Sequence, residues 1–190
     1  MIRDLVLGNR SYRRFYQENA IDRDTLKELV DLARFSASGS NRQPLKYILT
    51  NEPENNALIF QHLTWAMALK DWSGPSEGER PSAYITILLD KEIGMSAARC
   101  DHGIAAQSIL LGAREKGLGG CMLGGIKRDE LRKDFEIPER YDILLVIALG
   151  KPKEKVVLED MGPDDDFNYW NDNEDVHHVP KRRLDDIIIC

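Results

Sequence analysis

Two spacings of apolar residues alternate along the chain. In residues 22–35, Leu26, Leu29, Val30 and Ala33 fall at i, i+3, i+4 and i+7. That is one face of a helix, and Asp22 stands where an N-cap is wanted. Residues 45–50 and 84–89 are rich in β-formers and read as strands. Residues 141–149 read as another strand, apolar without a break from Ile143, as at the centre of a sheet. Residues 53–70 read as a second helix, with Pro53 in the first turn where no N–H is needed. Residues 96–116 form the longest predicted helix, stopped by Gly117. Ala97, Ala98, Ile104, Ala105, Ile109, Leu110 and Leu111 make it apolar on more than one side, which predicts burial all round. Its small residues, among them Ala106, Gly112 and Ala113, permit close packing on another helix, including one from a second subunit. Residues 119–125 read as a glycine-rich strand or strand end, and 127–135 as a short helix. Gly150 and Pro152 break the pattern, and residues 159–175 read as acidic and turn-like. The closing Ile187-Ile188-Ile189 reads as a strand or arm docked on a sheet, this chain's or a neighbour's. Helices interspersed with strands indicate a mixed α/β protein.

Length and charge narrow this picture. With 190 residues the chain is sized for one domain. Lysine and arginine number 26 against 32 acidic residues, a net charge of −6. That balance argues against a nucleic-acid binder and against a polybasic membrane surface. With 42% hydrophobic and 31% charged residues the composition is globular rather than disordered. The start carries charges where a signal peptide needs an apolar stretch. The run 143–149 falls far short of the roughly 20 residues that span a bilayer. Three scattered cysteines, Cys100, Cys121 and Cys190, suit a reducing cytoplasm rather than a disulfide framework. His62, His102, His177 and His178 lack metal-ligand spacing and read as structural or surface residues; no metal is expected. Cys121 reads as a small buried filler.

Four constellations could carry chemistry. Arg10-Ser11-Tyr12-Arg13-Arg14 places guanidinium groups and a hydroxyl in one turn, able to fork onto a phosphate or a polarised carbonyl. A solvated cationic helix face would look the same. Ser36 to Pro44 combines small residues with directed hydrogen-bonding groups, or is a plain polar loop. Gly117 to Gly125 is neither a dinucleotide fingerprint nor a phosphate-binding Walker loop. Its glycines would let backbone N–H groups approach a planar ring, or simply stop a helix before a tight strand. In Lys181-Arg182-Arg183, alternate residues of an extended chain point the same way, so Lys181 and Arg183 could face one anion. A charge-balancing surface run is the other reading.

Taken in order, these blocks resemble the FMN-dependent nitroreductase family along nearly the whole chain. The resemblance rests on Arg10-Ser11-Tyr12-Arg13 followed by Phe15 and on Ser38-Gly39-Ser40-Asn41-Arg42-Gln43-Pro44. It rests also on Asp101-His102-Gly103-Ile104-Ala105-Ala106-Gln107 running into Gly117-Leu118-Gly119, on Ala148-Leu149-Gly150-Lys151-Pro152, and on Pro180-Lys181-Arg182-Arg183-Leu184. It implies an α+β fold, a mixed β-sheet flanked by helices, in an intertwined homodimer. Residues 1–190 would form one FMN-binding domain, with 180–190 an arm docked on the partner subunit. It implies FMN as cofactor and NAD(P)H as reductant in a cytoplasmic oxidoreductase. Nitroaromatics, quinones or related acceptors would be reduced by a ping-pong route, with no nucleic-acid or membrane partner. Other flavin chemistry (dehalogenation, ring oxidation) and non-catalytic flavin binding are the alternatives.

By the same resemblance, Arg10 and Ser11 hold the FMN phosphate with Lys181 and Arg183, and Arg13 lies near the pyrimidine side of the ring. Ser38, Gly39, Ser40 and Asn41 close the site from the other subunit with Gln43 close by, and Met122, Leu123, Gly124 and Gly125 run along the ring. The chemistry belongs to flavin N5, so no catalytic acid or base is expected. Ala37 and Leu45 depart from the frequent proline and aromatic of the family, and residues 71–81 leave little chain for a helical lid. Trp65, Trp72, Phe167, Tyr169 and Trp170 remain as candidates for the substrate side, though each reads more readily as a packing residue.

Overall fold

The computed structural model describes residues 1–69, 72–94 and 100–189. Its spine is the twelve-residue strand β5 (Tyr141–Pro152). Along one edge β5 pairs with β3 (Ala83–Asp90), and β2 (Leu45–Thr50) pairs outside β3. Along its other edge lie β4 (Gly119–Leu123) and the two-residue β1 (Phe15–Tyr16). All of these ladders are antiparallel.

Strand side chains alternate between faces, so β3 and β5 feed two cores. Ala83, Ile85 and Ile87 join Ile147 and Leu149 on one face. Against them pack Leu26 and Leu29 of α2 (Arg23–Arg34) and Ile109 and Leu110 of α4 (Asp101–Glu115). On the other face Tyr84, Leu88, Val146 and Ala148 meet Ile59 of α3 (Pro53–Gln61), Leu131 of α5 (Arg128–Asp134), and Cys121 and Leu123. Arg140 forks onto the buried Asp90 carboxylate at 2.8 and 2.6 Å, and this pairing holds the acid below its usual range. A smaller sheet follows, in which β8 (His177–Arg182) runs parallel to β6 (Val156–Met161) and antiparallel to β7 (Trp170–Asn171). Helix α1 (Ile2–Gly8) buries none of its residues. Among the described residues no helix is long and apolar enough to cross a membrane.

The architecture is α+β, and several expectations need correction. The helix predicted over 53–70 ends at Gln61. Beyond it Leu63 bridges to Ile126, and the Thr64 N–H donates to the Gly125 carbonyl at 2.8 Å, so the chain is recruited as an extended segment. The helix predicted from Ser96 is described from Asp101; Met95 to Arg99, with Ala97 and Ala98, lie outside the described residues, as does Cys190. Helix α4 is not buried all round in the single chain, because Gly103, Ile104 and Gln107 are exposed. The stretch 159–175 is not only turns, since its start belongs to β6 and it contains β7. Ile187, Ile188 and Ile189 are exposed in the single chain and belong to no strand among the described residues.

Glycine is required where β4 meets β5. A Cβ at Gly120 would lie 2.4 Å from the Ala148 carbonyl oxygen and 2.7 Å from Leu110. Gly120→Ala is expected to destabilise the fold by about 1–3 kcal/mol, because backbone must move to admit the methyl. Urea denaturation monitored by circular dichroism checks this; an unchanged midpoint would contradict it.

Candidate functional site

The site begins with how residues 9–14 are laid down. They run extended rather than in one helical turn. Ser11 bridges Gly120 in parallel, and the Tyr12 N–H donates to the Gly120 carbonyl at 3.0 Å. Tyr12 is buried over Gly119, where a Cβ would come within 2.5 Å of its ring. Phe15, fully buried, fills the space over Gly150, where a Cβ would come within 2.7 Å of it. The Glu154 carboxylate accepts the backbone N–H of Arg13 and, at 3.4 Å, that of Arg14; burial pushes its pKa up. Backbone and apolar anchors therefore fix the segment and set Arg10, Ser11 and Arg13 on one cavity.

Arg13 is held from three sides. Only 9% of it is exposed, and its Nη1 lies 3.1 Å from His177 Nε2. His177 Nδ1 lies 2.6 Å from Asn171 Oδ1. An amide oxygen only accepts and a guanidinium only donates, so Nδ1 carries the proton and Nε2 accepts from Arg13. Burial, and then the charge of Arg13, push the His177 pKa down to about 4. The Tyr169 ring lies 4.5 Å from the guanidinium carbon and 5.1 Å from the His177 ring. His178, one residue on, points the other way. Glu159 and Asp172 hold it and raise its pKa, and Trp170 stacks on it at 4.0 Å.

Two cavities meet at Arg13 and Tyr169. The first, about 300 Å³, is lined by Arg10 and Ser11 and by His177, Val179 and Lys181, alternate residues of β8. The second, about 330 Å³, is lined by Cys121 and by Met122, Leu123, Gly124 and Gly125. Among the described residues, the Nε atoms of Arg10 and Arg13 are buried without a partner. A Cβ at Gly124 would find no described atom within 4 Å. One end of the groove thus offers cationic donors and the other a flat, open backbone. Burial pushes the Cys121 thiol up, so it stays protonated.

The remaining candidates fall elsewhere. Ser38 and Gln43 line a separate cavity of about 270 Å³ that shares no lining residue with the groove. There the buried Asp101 carboxylate accepts from Ser38 Oγ at 2.6 Å and from the Gly39 N–H at 3.0 Å. That grip holds a turn in which Ser40, Asn41 and Gln43 take left-handed φ angles of 51°, 53° and 52°. Arg183 lies past the end of β8, exposed, and lines neither part of the groove. Of the five aromatic candidates, Tyr169 lines the groove. Trp65 is buried in the core, against Phe60 at 5.8 Å and Trp72 at 6.5 Å. Phe167 is exposed, and Trp170 is taken up by His178. His177, Asn171, Val179 and Glu154 were missed. The period-two spacing of His177, Val179 and Lys181 is the available signal, and the structural reading of the histidines fits His177, which is buried between Asn171 and Arg13.

The sign of the His177 effect is fixed by its lowered pKa. The unfolded imidazole takes up a proton below about pH 6.5, whereas the folded one resists down to about 4. Its contribution to stability is therefore full above pH 6.5 and falls as the pH drops through that window. Replacing it by a neutral acceptor, His177→Gln, is expected to shrink the loss of stability between pH 7 and pH 4.5 by about 2 kcal/mol. Denaturation curves of both proteins at the two pH values measure this; parallel losses would contradict it.

Comparison with known proteins agrees with the fold. The model of the family described as "Nitroreductase family" matches residues 6–151. The inferred NAD(P)H nitroreductase YodC of Bacillus subtilis is 27% identical over 176 residues, covering 77% of this chain and 87% of that protein. A second Bacillus subtilis protein, named FMN reductase (NADPH), is 25% identical over 163 residues, 78% of this chain and 65% of that one. The crystal structure of a nitroreductase family protein from Clostridium novyi NT superposes with a TM-score of 0.69 at 22% identity, covering 95% of this chain and 94% of that one. With the family pattern running through the extended segment, the core helix and the central sheet, this chain belongs to the nitroreductase family.

Proposed function

We propose that the chain is an FMN-dependent oxidoreductase that takes hydride from NAD(P)H and reduces nitroaromatic, quinone or related acceptors by a ping-pong route. The observation that carries the reading is the division of the groove. Its cationic end gathers the side chains of Arg10, Arg13 and Lys181 with Ser11 on one cavity. Its other end is a backbone edge open at Gly124. A flavin mononucleotide has matching ends, a phosphate monoester of up to about −2 and a planar ring.

In this reading Arg10, Ser11 and Lys181 hold the phosphate, and residues 122–125 run along the ring. FMN, when bound, supplies the hydride relay between nicotinamide and acceptor. The protein's part is placement. Arg13 puts a fixed positive charge beside the ring, where negative charge gathers on reduction. Neutral His177 holds that charge in place without cancelling it, and Tyr169 covers its face. No side chain in the groove is asked to donate or accept a proton.

The functional unit in this reading is a homodimer in a reducing cytoplasm. Support comes from the open stripe of α4, from the exposed Ile187 to Ile189, and from the Ser38–Gln43 turn, whose placement away from the groove suits a role in a partner's site. Arg183 would act there too.

The reading predicts a yellow protein whose visible absorbance bleaches anaerobically with NADH or NADPH. A protein that stays colourless after incubation with FMN overturns it. Lys181→Ala should weaken FMN binding by about 10- to 100-fold through the loss of one charged contact, seen by fluorescence titration. Gly124→Val should leave the flavin-free protein as stable as the wild type, because the side chain enters open space, while cutting FMN affinity at least about tenfold. Unchanged affinity in that variant would mean the ring does not lie there.

A further inference from the structure

His178 faces away from the groove, yet both of its ring nitrogens are engaged. Nδ1 meets the Glu159 carboxylate of β6, and Nε2 lies 3.3 Å from Asp172 Oδ2 in the turn that follows β7. An ionised carboxylate only accepts, and a neutral imidazole carries a single N–H. The two contacts together therefore require the doubly protonated ring. Trp170 of β7 lies flat on it, with centroids 4.0 Å and planes 4° apart, an aromatic face that favours a cation. The hydrogen bond to Glu159, before all else, raises the pKa of His178 from its ordinary 6.5.

What His178 fastens has little else to hold it. Strand β7 is two residues long and lies at the edge of its sheet, beside β8. The Asp172 carboxylate is itself anchored, since its Oδ1 accepts the N–H groups of Glu174 and Val176 at 2.8 and 2.9 Å. In the same turn Asp175 pairs with Arg14 at 3.3 Å. On the opposite face of β8 stands His177, kept neutral, with Arg13 beside it. The chain at β7 carries what holds Arg13. Asn171 fixes the His177 tautomer from 2.6 Å, and Tyr169, the residue before β7, lies with its ring 4.5 Å from the guanidinium. A displacement of β7 thus reaches Arg13 by two routes.

We propose that His178 is a positioning residue for the groove: as an imidazolium it ties β6 to the turn after β7, and so sets Asn171 and Tyr169 against Arg13. Without its second proton the ring keeps one N–H for two carboxylates, and one tie is lost. Because the folded protein raises the pKa of His178, its contribution is full below 6.5 and is lost as the pH rises through the folded value. His177 runs the other way and loses its contribution as the pH falls, so the two histidines bound the window in which Arg13 is held. The effect on a flavin rests on the FMN reading given above; the effect on β7 does not.

Proton NMR of the flavin-free, full-length protein reads the ring directly. The His178 imidazole signal, assigned by its loss in His178→Gln, should titrate with a midpoint above 6.5. The His177 signal, 5.1 Å from the Tyr169 ring and so within its ring current, should shift with that same midpoint. In His178→Arg, whose planar guanidinium stacks on aromatic faces and stays charged, the His177 signal should hold still across the same range. In His178→Gln it should keep its high-pH position throughout. With FMN added, affinity is expected to weaken about 2- to 5-fold between pH 7 and pH 9.5 in the wild type, the worth of one half-exposed ion pair. The Arg variant should lose none of it, and the Gln variant should be weak at both values. The flavin phosphate, with a second pKa of about 6, titrates alike in all three proteins. A His178 midpoint at or below 6.5, a His177 signal indifferent to it, or identical pH profiles of FMN affinity in all three proteins would overturn the positioning role. A wild type that binds no FMN at either pH overturns the flavin reading alone, and the histidine signals then decide the role of His178.

Discussion

The close approach of two aromatic rings to two glycines, with a third glycine between two strands, ties the groove to the fold. Tyr12 lies over Gly119 and Phe15 over Gly150, each in space that a Cβ would occupy, while Gly120 lets β4 meet β5. Because those rings are buried in the sheet, the segment between α1 and β1 cannot drift, and the alternate residues Ser11 and Arg13 are presented to the cavity. Glu154 fastens the same segment through its N–H groups. The site is thus a by-product of sheet packing at one edge of β5.

The small sheet completes what the large one begins. Its strand β8 sends His177, Val179 and Lys181 into the groove and His178 to the opposite side. Two adjacent histidines therefore acquire opposite electrostatic lives: one is kept neutral by burial beside arginines, the other is favoured as a cation by two carboxylates. The neutral one is the useful partner for Arg13, since a charged imidazole there would repel it.

Much of this was legible because it is local. The α2 helix carries its cap at Asp22, whose carboxylate accepts from the Thr25 N–H, and its apolar stripe is the one that is buried. Strand β2 begins and ends where its β-formers do. The glycine run pointed to a backbone edge, and the arginine run and Lys181 are found on one cavity. What escaped depends on partners distant in sequence. Residues 62–64 carry a helical pattern, yet Gly125 and Ile126 capture them. Strand β6 contains Glu159 and Asp160, which read as surface until β8 aligns beside it. Trp65 takes the packing role rather than the substrate-side one, a choice that local sequence leaves open because it does not report which side of the chain the core is on.

The gathering of Arg10, Arg13 and Lys181 in one groove of a molecule carrying −6 has a kinetic consequence. An anion approaching from afar meets a net repulsive field, and only within the last several ångströms does it meet the cations. Physiological salt screens charge over about 8 Å, so it softens the distant repulsion more than the contact itself. Added salt would then hasten arrival and, more weakly, departure. For such a groove ionic strength acts on the traffic of the ligand as well as on its grip.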